Sequence, residues 1–281
     1  MPVWAREPAP VESEKWRARV DHGAGRATPG RDSDKSPEPE NTMQFMVMHK
    51  VDASMEAGTP PNQEIIQGMG ELVGESLKAG VMLDGAGLHR SAQRVRLSTA
   101  GGSTTVTHGP FQGQNELVAG MAMLKAKSMD HAIEPAKRFA GAIGDGEIEI
   151  GPVVEAWDLG MMPKPDVEGG RFLLLCKSDP KNESTATAAQ TKALGALHDE
   201  LTQSGALLKT VMLAPSSKGK RLQSAPNGKR TWVDGPFAES KELIAGFSIL
   251  DLPSLDDAIA WANRYAAILE GNEVDVRQLQ D

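Results

Sequence analysis

The chain has a single cysteine, Cys176, in 281 residues. That excludes an internal disulfide and fits a reducing compartment, so the expected location is cytoplasmic. No apolar run approaches the ~18 residues that a membrane-spanning helix needs, and the N-terminus has no apolar core of the secretory kind. Basic residues are outnumbered, 30 Lys and Arg against 38 Asp and Glu, for a net charge of -8. Broad attraction to nucleic acid is therefore not expected, since phosphate binding wants a basic face. There is no Cys/His cluster at metal-ligand spacing, no glycine-rich phosphate loop between a strand and a helix, and no nucleophile elbow. The expectation is a protein that uses no metal and no cofactor and whose partner is a small molecule.

What is present is a repeat. Residues 231–246 (TWVDGPFAESKELIAG) echo residues 105–120 (TVTHGPFQGQNELVAG), with eight of sixteen positions identical. Gly109 and Gly235 are 126 residues apart, as are Glu116 and Glu242. Solenoid units repeat every ~20–50 residues, so this period marks a duplicated domain. Each copy, at roughly 110 residues, is long enough to bury its own core.

Four segments follow. Residues 1–42 hold six of the 18 prolines and show no periodicity; such a stretch buries too little apolar surface to offset its ordering entropy and is expected to be a disordered tail. Met43 opens a strong strand and is the expected natural start. The first domain spans 43–159, a linker 160–170 carries Pro163 and Pro165, and the second domain spans 171–281. In the first, a strand at 44–49 precedes a helix at 62–79 with Ile65, Met69, Leu72 and Val73 at helical spacing. Strands at 81–88, 94–97 and 104–107 follow, the last two joined across Ala100-Gly101-Gly102. A strand at 117–125, a helix capped by Ser128 and a strand at 147–157 complete the copy. Pro135 is expected to kink or shorten that helix. The second domain repeats the order, with Asn227-Gly228 as its hairpin turn and Ser254 with Asp257 as a capping box. Each copy reads as β-α-β-β-β-α-β, an α+β layer fold with helices on one sheet face; the other copy is the nearest cover for the free face.

The stretch from Asp234 to Glu242, DGPFAESKE, resembles the signature of the YCII-related family in its DGPF-type branch. Gly87-Leu88-His89, the run 217–221 and the helix start at 256–261 resemble the same branch. The resemblance covers nearly everything after residue 42. It implies two tandem ferredoxin-like domains forming a single-chain dimeric α+β barrel, a monomeric pseudo-dimer or a higher homo-oligomer. Members of the wider superfamily include small-molecule lyases and isomerase-like enzymes with a proposed His–Asp pair, the His early in the first helix and the Asp late in the second. Neither first helix here begins with His, and Ala262-Asn263-Arg264-Tyr265 lacks the Asp, so that pair does not carry over.

The copies differ where chemistry would lie. At the signature the first has His108 for Asp234, Gly113 for Glu239, Asn115 for Lys241 and Gly151 for Arg277; at its second strand it keeps Asp84, Gly85, Gly87 and His89, where the second copy has Lys209, Thr210, Met212 and Ala214. The resulting expectation is one composite small-molecule site between the halves. His89, Asp234 and Glu239 would be its acid–base groups, since histidine titrates near neutrality. Gly85 and Gly87 would admit a ligand close to the backbone, and Lys241 and Arg277 would bind it. The alternatives are structural: Asp234 in an Asx-type turn, Glu239, Lys241 and Glu242 as a solvated charge run, and Arg277 in an edge salt bridge. Lys218, Lys220, Arg221, Lys229 and Arg230 read as shielding for an exposed hairpin edge, with anion binding as the rival. Cofactor-free isomerisation or elimination is the expected chemistry if the protein is an enzyme; the alternative is a non-catalytic ligand-binding or protein-interaction module.

Overall fold

The computed structural model describes residues 42–280, apart from 114–115, 180–182, 184–185, 225–228, 238–242 and 270–272. The expected tail, the Asn227-Gly228 turn, Glu239 and Lys241 thus lie outside the described residues. The first repeat runs β1 (Met43–Lys50), α1 (Ala53–Ala57), α2 (Gln63–Lys78), β2 (Met82–Leu88), β3 (Val95–Ala100), β4 (Ser103–His108), β5 (Val118–Ala126), α3 (Met129–Ile143) and β6 (Gly146–Val154). The second runs β7 (Gly170–Lys177), α4 (Ala188–Gln203), β8 (Leu207–Met212), β9 (Lys220–Ser224), β10 (Arg230–Asp234), β11 (Ile244–Leu252), α5 (Leu255–Ile268) and β12 (Val274–Gln278). Among the described residues no helix is long and apolar enough to cross a membrane.

The ends of these elements follow their local chemistry. Asn62, Ser128, Thr187 and Ser254 each accept a hydrogen bond from a first-turn N–H, satisfying donors that have no partner within the helix. Gly101 and Gly102, with φ of 56° and 79°, make the tight turn between β3 and β4. Pro135 does not end α3. The helix runs on to Ile143, with Ala132, Ala136, Phe139 and Ala140 buried beneath it; packing carries it past the missing hydrogen bond. The five-residue α1, too short to show a period, has no counterpart in the sequence reading.

The pairing of strands departs from two self-contained copies. The sheet runs β10-β9-β12-β1-β11-β2-β6-β7-β5-β8, with β3 pairing β4 and β6. β1 thus lies between β11 and β12 of the other repeat, with Val47 opposite Ser248 and Val276. Symmetrically, β7 lies between β5 and β6 of the first repeat, with Leu174 opposite Ala122 and Ile150. Each repeat has given its leading strand–helix–strand unit to the other. The helices agree: α2 packs on α5 and α3 on α4. Arg138 bonds Glu200 at 2.7 Å, and Arg264 bonds Glu75 at the matching position.

Each core therefore draws on both repeats. Under α2 and α5 lie Phe45, Val47 and Leu72 with Leu250, Trp261 and Val274. Under α3 and α4 lie Leu97, Leu124 and Phe139 with Leu174, Leu197 and Leu207. On the opposite face, Met46, Met48, Met121 and Met123 pack with Leu173, Leu175, Phe247 and Ile249. Alternation along β1 sends Phe45 and Val47 under the helices and Met46 and Met48 to this inner cluster. The expectation that each copy buries its own core is corrected accordingly.

The expected closed barrel is also corrected, because the ladder stays open. β2 meets β6 through only Gly87↔Val154 and Leu88↔Val153, and the far join is a single bridge, Leu213↔Leu279. Both β2 and β8 end early because a single 3₁₀ turn, Ser91–Gln93 or Ser216–Lys218, begins just beyond them. Too few residues remain to extend either ladder.

Candidate functional site

The two signature loops build matching corners. Gly109–Pro110 and Gly235–Pro236 are both cis. A Cβ on Gly109 would lie 1.8 Å from Ser91 O, and one on Gly235 1.8 Å from Ser216 O, so only glycine fits either position. Ser91 donates N–H and Oγ–H to Glu56, and its Oγ accepts from Phe111 N at 2.9 Å. Ser216 does the same with Glu183 and with Phe237 N, at 3.1 Å. Arg96 stacks on the Phe111 ring at 4.4 Å and Arg221 on the Phe237 ring at 4.3 Å.

Beneath each stacked arginine lies a buried charge cluster shared between repeats. Glu149 receives Arg94 and Arg96 from its own repeat and Lys177, at 3.7 Å, from the other. Asp275 receives Arg221 at 2.6 Å and Lys50, from the other repeat, at 3.0 Å. Burial alone would raise the Glu149 carboxyl, but the Lys177, Arg94 and Arg96 charges outweigh it and hold it down at about 2. For Asp275 burial likewise opposes and Lys50 and Arg221 prevail, so its pKa is lowered. Arg221 is therefore not shielding for a hairpin edge. It is 3% exposed and committed to this cluster, while its neighbour Lys220 pairs with Asp234.

A second arginine crosses each seam. Arg94 donates to Ile244 O of the other repeat at 2.8 Å and to His89 O at 2.5 Å. Arg277 donates to Val118 O of the other repeat at 3.4 Å and to Ala214 O. These four acceptors match pairwise between the repeats. A Cβ at Gly151 would lie 2.8 Å from Arg94 Cγ, and one at Gly219 2.6 Å from Arg277 Cδ. Gly151 thus does not record a lost arginine. The same slot is filled from position 94 in one half and 277 in the other, and the reciprocal Gly219 is the signal that the sequence reading passed over.

Of the residues expected to form a composite site, His89 stands apart. Its ring reaches Asp158, with Nε2 3.2 Å from Oδ2, and its backbone N–H donates to Pro152 O. Asp158 Oδ2 also accepts from Glu155 N at 2.9 Å, and Trp157 O accepts from Gly160 N, so the start of the linker is a built turn. Beside it opens a hollow of about 250 Å³, lined by Pro152, Glu155, Trp157, Lys164, Arg171 and their neighbours. Asp158 and Trp157 were not singled out from sequence. Both stand at the edge of what reads as a connector.

The other expected residues are placed differently. Asp234 is exposed and pairs with Lys220; no hydrogen bond or ion pair joins it to His89 among the described residues. Arg277 is 1% exposed, its guanidinium turned to backbone carbonyls and to Glu183. Gly85 and Gly87 lie opposite Ser248 and Gly246 of β11. A Cβ on Gly85 would meet Met82 Cε at 2.5 Å and Phe247 O at 3.0 Å, so close packing already accounts for that glycine. Asp84, at the start of the same strand, pairs with Lys209 at the matching position of β8, 3.1 Å away.

A model of the YCII-related domain matches twice, at residues 43–156 and 170–280. An uncharacterised protein of Rhizobium meliloti (strain 1021) is 32% identical over 95 residues, which is 32% of this chain and 76% of that protein. No solved structure matches.

Proposed function

Since the chain belongs to the YCII-related family and carries its domain twice, we propose that it is a small-molecule-binding protein whose ligand occupies the hollow where the first repeat joins the second. The strand orders β12-β1-β11-β2 and β6-β7-β5-β8 support reading each lobe as a ferredoxin-like unit. The whole is then a single-chain counterpart of the two-subunit assembly of the DGPF-type branch. The observation that carries the functional reading is the His89–Asp158 pair, held by the same turn whose Glu155 and Trp157 line the 250 Å³ hollow. A histidine held by a carboxylate is oriented for proton transfer, so isomerisation or elimination fits this pair.

Asp234 and Arg277 belong to the second corner in this reading and serve its structure. The test is a thermal-shift screen of small metabolites against the wild type and the Trp157→Ala, His89→Ala and Asp234→Ala variants, each first shown to melt cooperatively. A ligand of the hollow loses its stabilising effect in Trp157→Ala and keeps it in Asp234→Ala. Turnover, where it occurs, is lost in His89→Ala with binding retained. A ligand indifferent to Trp157→Ala and dependent on Asp234 would overturn the reading. Leu83 and Leu208, at matching positions of β2 and β8 and 45% and 49% exposed, favour an interaction face as a second reading. A concentration-dependent sedimentation coefficient abolished by Leu83→Ser would support it.

A further inference from the structure

The lining of the hollow combines charged side chains with apolar ones. Lys127, Lys164 and Arg171 bring three positive charges, and Glu155 is its one acid. Glu155 is already taken: Arg171 holds it bidentately at 2.8 and 2.7 Å. That pair neutralises itself and braces β6 against β7. Among the described residues Lys127 pairs with Glu168, at 3.8 Å between two largely exposed side chains, an attraction that water screens. Lys164 has no ion-pair partner among the described residues. The excess of positive charge is thus carried by two lysines, with Trp157, Pro152 and Phe172 as the apolar lining.

The position of these groups is fixed by backbone. Trp157 sits in the turn closed by Asp158 N to Glu155 O and Met161 N to Ala156 O, both 3.0 Å. The chain returns at Gly169, whose φ is +96° and where a Cβ would lie 2.4 Å from Ala126 O, so it presses directly beside Lys127. Both features belong to the segment that joins the repeats. A cavity of ~150 Å³ accepts a benzene ring; the 250 Å³ here leaves room for a charged substituent on such a ring.

Resting on the reading of the hollow as the ligand site, we infer that its ligand is a small planar carboxylate, an aromatic or conjugated monoacid whose ring lies against Trp157 and whose anion meets Lys127 and Lys164. The linker makes this site, so a single-repeat relative has no counterpart to it.

The experiment follows the indole ¹⁵N–¹H signal of Trp157, assigned with Trp157→Phe, during titration of the full chain with sodium benzoate, benzamide and benzylamine. Benzoate is expected to shift that signal in a saturable way, benzamide to bind about tenfold more weakly, and benzylamine not to bind. Lys127→Ala/Lys164→Ala is expected to weaken benzoate about tenfold while leaving the remaining spectrum in place, since both side chains are at the surface. Benzamide binding as tightly as benzoate, or benzoate binding unchanged in the double variant, would overturn the anion and leave the ligand site standing. Failure of all three probes to move Trp157 would overturn both.

Discussion

The two signature corners hold the same parts in nearly the same places, yet the chain leaves them differently. Each has a glycine pressed on a serine carbonyl, a carboxylate on that serine, an arginine stacked on the signature phenylalanine and another arginine crossing to the other repeat. Even the crossing arginine is preserved, though it comes from position 94 in one corner and 277 in the other. What is shared is therefore architecture. What differs is the segment beyond β6, where the first corner runs through His89, Asp158 and Trp157 into the linker. A family signature can mark the joint that holds lobes together.

The comparison breaks most severely at the signature glycines. Gly109→Ala and Gly235→Ala should each destabilise the chain by at least ~3 kcal/mol, because the new methyl meets a backbone oxygen rather than a flexible side chain. Gly141→Ala, in α3 with open space around it, should be neutral or stabilise by about 0.5–1 kcal/mol. Denaturant melts of the three variants check this. A mild effect at Gly235 with a severe one at Gly109 would mean that the corners are not equivalent.

A second difference is chemical and reads out with pH. His49 meets Tyr265, with Tyr265 Oη 2.6 Å from His49 Nδ1, where the other lobe has Cys176 and Phe139 at the matching positions. Burial lowers His49 to about 4; the Asp52 charge opposes, and the Arg94 and Lys50 charges add to the lowering. Its folded pKa is depressed, so the unfolded chain takes up the proton first as pH falls. Stability from neutral His49 is complete above about pH 6.5 and is lost towards pH 4, a loss of roughly 3 kcal/mol. Below about pH 4.5 Glu149 continues the loss down to about 2. In His49→Gln the upper phase should vanish and the lower one remain. A wild-type stability flat between pH 6.5 and 4 would contradict the burial of His49.

The smallest expected effect is the sharpest comparison of the repeats. Asp84 and Lys209 occupy matching positions and touch, so any two-fold relation between the repeats passes between them. Identical subunits would set like charges there; a fused chain can set opposite ones. Both side chains are about a third exposed, so Asp84→Lys should cost only ~0.5–1 kcal/mol, and Asp84→Lys/Lys209→Asp should restore most of it. A reversed pair no more stable than the single variant would remove the contact.

Much of this was legible in the residues themselves. The repeat, the caps at Ser128 and Ser254, the turn at Gly101-Gly102 and the strand that ends at Leu88 all carry local chemistry that the sequence displays. The exchange of strands was not legible, because the alternation in β1 says that Phe45 and Met46 face opposite ways and nothing about which repeat supplies the neighbour. The same limit hid the traded arginine: Gly151 reads as a loss until Gly219 is seen to mirror it. For the site, His89 was visible as a titratable group at a strand end. Its partner Asp158 was not, since 69 residues separate them and the contact exists only because β6 ends beside β2.

The claim that each lobe is shared between repeats can be tested by paired cysteines in a Cys176→Ser background, with a protease site introduced in the linker. Gln44 lies opposite Asp251 of the other repeat, and the position matching Asp251 within its own repeat is Lys125. The account predicts that Gln44→Cys/Asp251→Cys forms a disulfide that keeps the cleaved halves together on a non-reducing gel, and that Gln44→Cys/Lys125→Cys lets them separate. Crosslinking by the second pair and not the first would show each repeat folded on itself, and the shared lobes, with the joint built from them, would be refuted.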